Sequence, residues 1–268
     1  MSKKIENVEN VLKRAEKVAV AAAKKSGAML VREFARFDRS QINRKQNNET
    51  VTKWDLASER LLINEIRRAF PEHAFLSEES GNDGQTAPFR WIIDPIDGTT
   101  NFTIHNPLWS ISIGLAYNDE LVFGLIYIPY LKEMYTARHL HGAFCNNKKI
   151  SPSIIVGQSV NHAFCHGKTD QAILFATKYI KVQKTSHVDC RQLGSAAAEL
   201  AYVACGRMES MVMFGVNAWD VAGGALLVRE AGGRVVNELG QPWRLADKTL
   251  IATNGLVEAE ILSVIKKL

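Results

Sequence analysis

The chain has few of the features that mark secreted, fibrous or membrane-spanning proteins. It contains 4 cysteines, 7 prolines and 18 glycines in 268 residues, too few for a disulfide scaffold, a collagen-like repeat or a low-complexity segment. Uninterrupted apolar stretches such as Val18–Ala23 are far shorter than the ~20 residues that a membrane helix needs. These absences predict an ordinary globular protein with no membrane partner.

The cysteines and the amino terminus both favour a cytoplasmic protein. No apolar region followed by a cleavage site opens the sequence, so we expect no secretory signal. A chain of this length needs no disulfide to build a core, and its cysteines follow no metal or redox spacing. They are Cys145, Cys165, Cys190 and Cys205.

The composition is that of a folded, mildly basic protein. Hydrophobic residues make up 46% and charged residues 23%, which excludes intrinsic disorder. The formal net charge is +5, from 33 basic and 28 acidic residues. Such a charge suits an anionic substrate, and weak contact with nucleic acid is the alternative that it leaves open.

Helical and strand patterns are mixed along the chain, which predicts an α/β or α+β fold with two halves that meet near residue 150. Residues 153–190 give the least clear pattern. Helices are predicted over 5–37 (with a bend near Gly27), 55–70, 195–205, 219–231 and from 257 on. Strands are predicted over 73–76, 91–94, 110–117, 121–128, 133–138, 143–145, 208–214, 235–236 and 250–252.

The most informative stretch runs from Trp91 to Phe102. An apolar strand is predicted to end at Asp94, Pro95 breaks it, and Asp97 follows Asp94 by three positions. Two neighbouring carboxylates are costly unless a cation lies between them, and no Lys or Arg is adjacent. Mg²⁺ is the natural partner because it takes oxygen ligands.

The residues that follow favour an anion beside that cation. The Ile96 carbonyl can face the same ion, and Gly98 allows close approach of a ligand to the backbone. Thr99 and Thr100 are predicted to begin a helix, whose free N–H groups favour a phosphate. The alternative is a surface turn with an Asp that caps a helix, but the complete motif after an apolar strand favours a site.

Three further acidic motifs are weak when each is taken alone. Glu78 begins a Glu-Glu-Ser segment after a short strand, and adjacent acids usually mark an exposed loop. Asp55 and Asp220 both open predicted helices, where the helix dipole favours an acid without any further role. Their significance depends on whether they occur together with the Asp94 motif.

Taken in order and spacing, the four motifs resemble the inositol monophosphatase family over most of the chain. They are Val-Thr-x-x-Asp ending at Asp55, Glu-Glu-Ser from Glu78, Asp-Pro-Ile-Asp-Gly-Thr-Thr-Asn-Phe from Asp94, and Trp-Asp-Val-Ala-Gly around Asp220. The resemblance implies a single 1–268 domain folded as the layered αβαβα sandwich of the inositol monophosphatase and fructose-1,6-bisphosphatase type. It also implies a Li⁺-sensitive homodimer that hydrolyses small phosphomonoesters with two or three Mg²⁺ ions.

The resemblance also implies a role for each matching position. One metal ion would be held by Glu78, Asp94 and the Ile96 carbonyl, and a second by Asp94, Asp97 and Asp220. Thr99, paired with Asp55, would activate the attacking water beside Glu78. Substrate contacts are implied for Gly98, Thr99, Thr100, Gly194, Ser195, Ala196, Met213, Asp220 and Lys45, although the adjacent Arg44 leaves the Lys45 position open by one residue.

Met213 departs from the family pattern and leaves the substrate open. Family members that handle inositol have a Glu seven residues before the aspartate of Trp-Asp, and that position is Met213 here. A thioether cannot accept hydroxyl donors as a carboxylate does. Inositol 1-phosphate therefore competes with fructose 1,6-bisphosphate, 3′-phosphoadenosine 5′-phosphate and histidinol phosphate as the expected substrate. Binding of a protein or RNA partner is the weaker alternative.

Overall fold

A computed structural model describes residues 2–44 and 50–268 of the chain. Seven helices are described: α1 Ser2–Phe34, α2 Lys53–Ala69, α3 Thr99–Thr103, α4 Asp170–Thr185, α5 Ala196–Ala204, α6 Ala218–Ala231 and α7 Glu258–Ile265. The strands are β1 Asn43–Arg44, β2 Thr50–Val51, β3 Ala74–Ser77, β4 Gly81–Asn82, β5 Phe89–Asp97, β6 Ser110–Tyr117, β7 Glu120–Ile128, β8 Glu133–Arg138, β9 Gly142–Cys145, β10 Lys148–Lys149, β11 Asn161–His166, β12 Asp189–Arg191, β13 Ser210–Phe214, β14 Arg234–Val236 and β15 Thr249–Thr253.

The elements stack in five layers. Helices α1 and α2 cover one face of an eight-stranded sheet with the order β10-β9-β8-β7-β6-β5-β3-β4. Helices α5 and α6 lie between that sheet and a five-stranded sheet with the order β12-β11-β13-β15-β14. Helices α4 and α7 cover the outer face of the second sheet. The predicted αβαβα arrangement is confirmed.

Three apolar clusters of described residues fill the space between the layers. Trp91, Phe102 and Trp109 belong to the cluster beneath α1 and α2, and α5, α6 and the facing sides of both sheets form the central one. Helix α5 carries a run of small residues, with Ala196, Ala197 and Ala198 all buried. Small side chains let this helix lie close to both sheets, which brings its amino terminus against the end of β5.

One sequence expectation needs correction, and the structure adds detail to two others. Strand β5 does not end at Asp94 but continues through Pro95 to Asp97, because a bulge accommodates the proline. Helix α1 is unbroken across Gly27, where a Cβ would lie 2.5 Å from the Tyr127 ring. The unclear 153–190 region folds as β11, α4 and β12. No helix in the described ranges is long and apolar enough to cross a membrane.

A buried histidine makes the stability of this fold depend on pH. The His73 ring is stacked between Phe70 and Phe89, with ring centroids 4.7 and 4.8 Å away. Its Nδ1 accepts a hydrogen bond of 3.0 Å from Trp91 Nε1, so the folded state needs the neutral ring. Burial, with a further effect of Arg14, lowers the pKa of His73 to about 4.

We expect the free energy of unfolding to fall by ~1–3 kcal/mol as the pH drops from about 6.5 to about 4. The unfolded chain binds a proton near pH 6.5, whereas folded His73 binds one only near pH 4. The His73→Gln variant still offers Trp91 an acceptor but does not titrate. Its free energy of unfolding, measured by denaturant titrations at several pH values between 7 and 5, should therefore change less with pH than that of the wild type. An equal pH dependence in the two proteins would contradict this role of His73.

Candidate active site

The bulge in β5 brings two aspartates to one side of the strand. Asp94 pairs with Ser112 of β6 and Asp97 pairs with Ser110, so three steps on β5 match two on its neighbour. In a regular strand, residues three apart point to opposite faces. The extra residue cancels that alternation, and the side chains of Asp94 and Asp97 reach the same cleft.

The cleft has a volume of about 440 Å³ and lies where β5, β11 and β13 end. Most of the residues singled out in the sequence line it: Glu78, Asp94, Ile96, Asp97, Gly98, Thr99, Thr100, Gly194, Ala196, Met213 and Asp220. Asp55 and Ser195 lie behind that lining, where each is hydrogen-bonded to a lining residue. Lys45 lies outside the described residues, and Arg44 ends β1 with an exposed side chain.

Asp97 is fixed by the amino terminus of α5. Its Oδ2 accepts hydrogen bonds from the Ser195 hydroxyl, from Ser110 Oγ at 3.2 Å and from the Ala197 N–H at 2.9 Å. Its Oδ1 accepts one bond of 3.2 Å, from the Ala196 N–H. Oδ1 therefore accepts fewer hydrogen bonds than Oδ2 and is the oxygen with more capacity left for a ligand in the cleft.

Asp55 and Thr99 form a second hydrogen-bonded unit. Thr52 caps α2 and donates to Asp55 Oδ2 from both its N–H and its hydroxyl, each at 2.7 Å. Thr99 Oγ1 lies 2.9 Å from Asp55 Oδ1 and 3.0 Å from the Ile96 carbonyl oxygen. Burial raises the pKa of Asp55 to about 6. The Thr99 hydroxyl can therefore donate to Asp55 on the side away from the cleft, while Thr99 itself lines the cleft.

Four acidic side chains, Glu78, Asp94, Asp97 and Asp220, form the acidic wall of the cleft. Burial and mutual repulsion both disfavour their ionised forms. Burial raises the pKa of Asp94 well above its usual range, and the charges of Glu78, Asp97 and Asp220 raise it further. The pKa of Asp220 is raised well above its usual range by the same causes, with Asp97 and Glu78 as the repelling acids. A bound cation would relieve this repulsion.

The donor set fits a hard divalent cation. All four acids present oxygen, which Mg²⁺ prefers over nitrogen and sulfur. Asp220 is the third residue of α6, and its Oδ2 accepts the Asn217 N–H at 3.1 Å, which fixes its direction. Among the described residues, no three acidic, histidine or cysteine side chains already converge on one point as a complete ligand set.

Two glycines allow the loops around the cleft to meet. Gly98 has a φ of 89° and Gly194 a φ of 83°, both in the left-handed region that favours glycine. A Cβ at Gly98 would lie 2.9 Å from the Gly194 carbonyl oxygen. Helix α3, which follows Gly98, has only five residues. Its free N–H groups, rather than a large helix dipole, are therefore what it offers to an anion.

Asn101 is a site residue whose role sequence reasoning missed. Its Nδ2 donates to the Leu108 and Leu193 carbonyl oxygens at 2.6 and 2.7 Å, and its Oδ1 accepts from Asn106 Nδ2 at 3.0 Å. These bonds join the Gly98 turn to the loop before α5. Other lining residues to which the sequence gave no site role are Thr50, Cys165, His166, Gly167, Lys168, Gln192, Asn217 and Trp219. Four of them lie at the end of β11 or directly after it, in the region whose pattern was unclear.

A model of the inositol monophosphatase family matches residues 11–268. The chain belongs to the inositol monophosphatase family. The family resemblance predicted from the four motifs is thereby confirmed, and it spans both sheets. The family places this chain among metal-dependent phosphatases of small phosphorylated substrates.

Relatives with different names match the chain almost end to end. An inositol-1-monophosphatase of Mesorhizobium japonicum is 35% identical and aligns over 93% of this chain and 95% of its own. The Nus factor SuhB of Escherichia coli is 34% identical, over 92% and 93% of the two chains. A fructose-1,6-bisphosphatase/inositol-1-monophosphatase of Thermotoga maritima is 33% identical, over 93% and 94%.

A solved structure supports the same architecture. The IMPase of Thermotoga maritima superimposes with a TM-score of 0.86 at 32% identity, over 95% of this chain and 97% of that one. The layered inositol monophosphatase and fructose-1,6-bisphosphatase fold is therefore confirmed by likeness to a known structure as well as by the arrangement of the elements.

Proposed function

We propose that this protein uses Mg²⁺ to hydrolyse a small phosphomonoester of the inositol 1-phosphate type to an alcohol and phosphate. The observation that carries the proposal is that two sets of residues meet at one cleft: the acidic wall, and the hydrogen-bonded pair of Thr99 and Asp55. The first supplies the charge that metal ions need, and the second supplies a proton acceptor beside the expected position of the water.

The residues that would hold the metal ions are those of the acidic wall. Glu78, Asp94 and the Ile96 carbonyl would bind one Mg²⁺ ion, and Asp94, Asp97 and Asp220 a second. Bound Mg²⁺ would neutralise phosphate charge and lower the pKa of a bound water. The mutual repulsion of Asp94, Asp97, Glu78 and Asp220 supports this assignment.

The chain itself would move the proton of the attacking water. The Thr99 hydroxyl would accept that proton as it passes its own to Asp55, whose Oδ1 lies 2.9 Å away. The raised pKa of Asp55, about 6, makes it a better proton acceptor than an exposed carboxylate. Glu78 would lie beside the same water. No covalent intermediate is required.

Phosphate and alcohol would contact different parts of the cleft. The N–H groups and hydroxyls at Gly98, Thr99 and Thr100 would bind the phosphate. Gly194, Ala196, Met213 and Asp220 line the part of the cleft that would face the alcohol, with Ser195 behind them, hydrogen-bonded to Asp97. Lys45, which lies outside the described residues, stays a proposed substrate contact. Lys168 also lines the cleft, where its positive charge would favour entry of an anionic substrate.

The test is phosphate release by the full chain with Mg²⁺ and with EDTA. The panel contains inositol 1-phosphate, glycerol 2-phosphate, fructose 1,6-bisphosphate, 3′-phosphoadenosine 5′-phosphate and histidinol phosphate. We expect Mg²⁺-dependent turnover of at least one, which EDTA abolishes and Li⁺ reduces. The ranking decides between an inositol-type phosphatase and the related activities. Folded protein that released no phosphate from any of them would overturn the proposal.

A partner-binding role is the second candidate, and the relative named Nus factor SuhB favours it. The net charge of +5 suits an RNA partner. A gel-shift titration with RNA in moderate salt tests it, and absence of any shift would remove it. Activity and partner binding are independent outcomes, because one chain can carry both.

We propose that residues 1–268 act as one domain, since α5 and α6 share a single apolar cluster with both sheets. Separate halves would expose that cluster to water. We also propose a homodimer, as the family resemblance implies, which sedimentation equilibrium would measure.

A further inference from the structure

Two sulfur-containing side chains, Cys165 and Met213, lie side by side and form one wall of the cleft, in the part proposed to face the alcohol. Strands β11 and β13 are parallel neighbours, and Cys165 is directly opposite Met213 in their register. Residues paired in this way point to the same face of a sheet. Both line the cleft, and both are otherwise well buried, with exposed fractions of 7% and 5%.

Glu199, the acid that lies behind Cys165, is not available to a substrate. Glu199, on α5, is fully buried, and its Oε1 accepts the N–H groups of Leu193 and Gly194 at 2.7 and 3.1 Å. Its Oε2 accepts the Cys165 thiol at 3.2 Å. Glu199 therefore holds the loop before α5 and cannot replace the carboxylate that Met213 lacks.

The wall formed by Cys165 and Met213 is accordingly apolar and uncharged. Ala196 adds a methyl group at the start of α5, beside Cys165 and Met213. Groups that could bind hydroxyls line other parts of the cleft: His166 at the end of β11, Gln192 between β12 and α5, and Asn217 and Asp220 at the start of α6. A ring hydroxyl that met the wall would lose its water and gain no partner.

We propose that Cys165 and Met213 select a phosphomonoester whose alcohol presents an apolar edge next to the ester bond. The inference rests on the proposed phosphatase activity and narrows its substrate class. An alkyl or cycloalkyl edge would pack against the thioether and the thiol, which are soft and polarizable. A fully hydroxylated ring would be disfavoured because each unpaired hydroxyl weakens the transition state.

The experiment compares two substrates that differ only in ring hydroxyls. Cyclohexyl phosphate and inositol 1-phosphate share a six-membered ring and a secondary alcohol. For the wild-type protein with Mg²⁺, we expect kcat/KM to be at least about tenfold higher for cyclohexyl phosphate. A ratio of tenfold or more in the opposite direction would overturn the proposal.

Variants distinguish the effect of Cys165 and Met213 on the kcat/KM ratio from a difference in intrinsic reactivity between the two esters. Met213→Gln keeps the length of the side chain but adds hydrogen-bonding groups, so the ratio should move toward inositol 1-phosphate by about tenfold. Cys165→Ser, which can still donate to Glu199, should move it in the same direction. Met213→Leu is the matched apolar control and should keep the wild-type ratio. An unchanged ratio in Met213→Gln would also overturn the proposal, since intrinsic ester reactivity is the same for every variant.

The outcomes distinguish this inference from the activity on which it rests. If neither ester is hydrolysed but another phosphate of the panel is, the wall has been misassigned and the phosphatase activity stands. If no phosphomonoester is hydrolysed by folded protein, the proposed function itself fails. Circular dichroism of each variant establishes that the protein is folded before rates are compared.

Discussion

An Asp94→Asn variant is expected to lose Mg²⁺-dependent phosphatase activity by at least about 10²-fold, since even changes at residues that only hydrogen-bond to metal ligands cost 10–100-fold. Asp94 lines the cleft, is 2% exposed and is assigned to both metal positions. Asparagine has the same shape, and its Oδ1 can still accept the Ile96 N–H, as Asp94 does at 3.0 Å. The substitution therefore removes the charge with little change in geometry.

Thermal unfolding gives a second measure of the same change. Mg²⁺ should raise the melting temperature of the wild-type protein, because an ion that binds only the folded state stabilises it. The Asp94→Asn variant should lose most of that increase. Without metal it should be at least as stable as the wild type, because burial and the charge of Glu78 disfavour ionised Asp94.

The control for Asp94→Asn is the same substitution at the surface. Asp119 lies between β6 and β7, and its side chain is 76% exposed. Its φ of 63° is one that asparagine adopts readily. Asp119→Asn should keep full activity and the full effect of Mg²⁺ on melting. Wild-type activity in Asp94→Asn would contradict the assignment of the metal site.

A Thr99→Val variant is expected to lose about 10²–10⁴-fold in kcat, the range that proton transfer by a positioned group contributes. Valine has nearly the shape of threonine but removes the hydroxyl that connects the cleft to Asp55 and to the Ile96 carbonyl. The buried Asp55 carboxylate keeps its two bonds from Thr52 and is not left without partners. We therefore expect the variant to fold.

The conservative variant and the kinetic pattern identify the role of Thr99. Thr99→Ser retains the hydroxyl and should recover most of the activity. KM for the preferred substrate should change much less in Thr99→Val than kcat, because the proton moves only in the transition state. If both variants lost activity equally, Thr99 would act through packing and not through its hydroxyl.

Much of the fold could be predicted from patterns that act locally. Helix α2 begins at a Thr52 cap and is followed by Pro71, two signals that can be seen in the sequence. Strands β6 and β7 are mostly buried runs on either side of a turn of polar residues, the pattern of a hairpin. Helix α4 is not evident in the sequence because apolar residues, among them Ile173 and Leu174, also lie on its exposed face. The helical period was therefore hidden by exposed apolar residues.

The candidate site was predictable as a set of residues but not as an arrangement. The Asp94 motif indicated a metal and a phosphate because its carboxylates follow one another along the chain. The contacts of Asp97 with Ala196 and Ala197 join residues almost a hundred positions apart, and no local pattern encodes them. The bonds of Asn101 to Leu108 and Leu193 are hidden for the same reason.

The sequence by itself determined the family, because the four motifs are residue types at fixed spacings. Through that resemblance it implied the layered fold and the candidate acids of the site. Only the tertiary structure decided how they act together. The bulge in β5 turned Asp94 and Asp97 to one side, and the small residues of α5 let its amino terminus reach Asp97. The parallel register of β11 and β13 placed Cys165 beside Met213. Such pairings arise from packing between segments that are distant in the sequence. The free energy of that packing depends on the shape and burial of the side chains, which cannot be predicted from residue spacing along the chain.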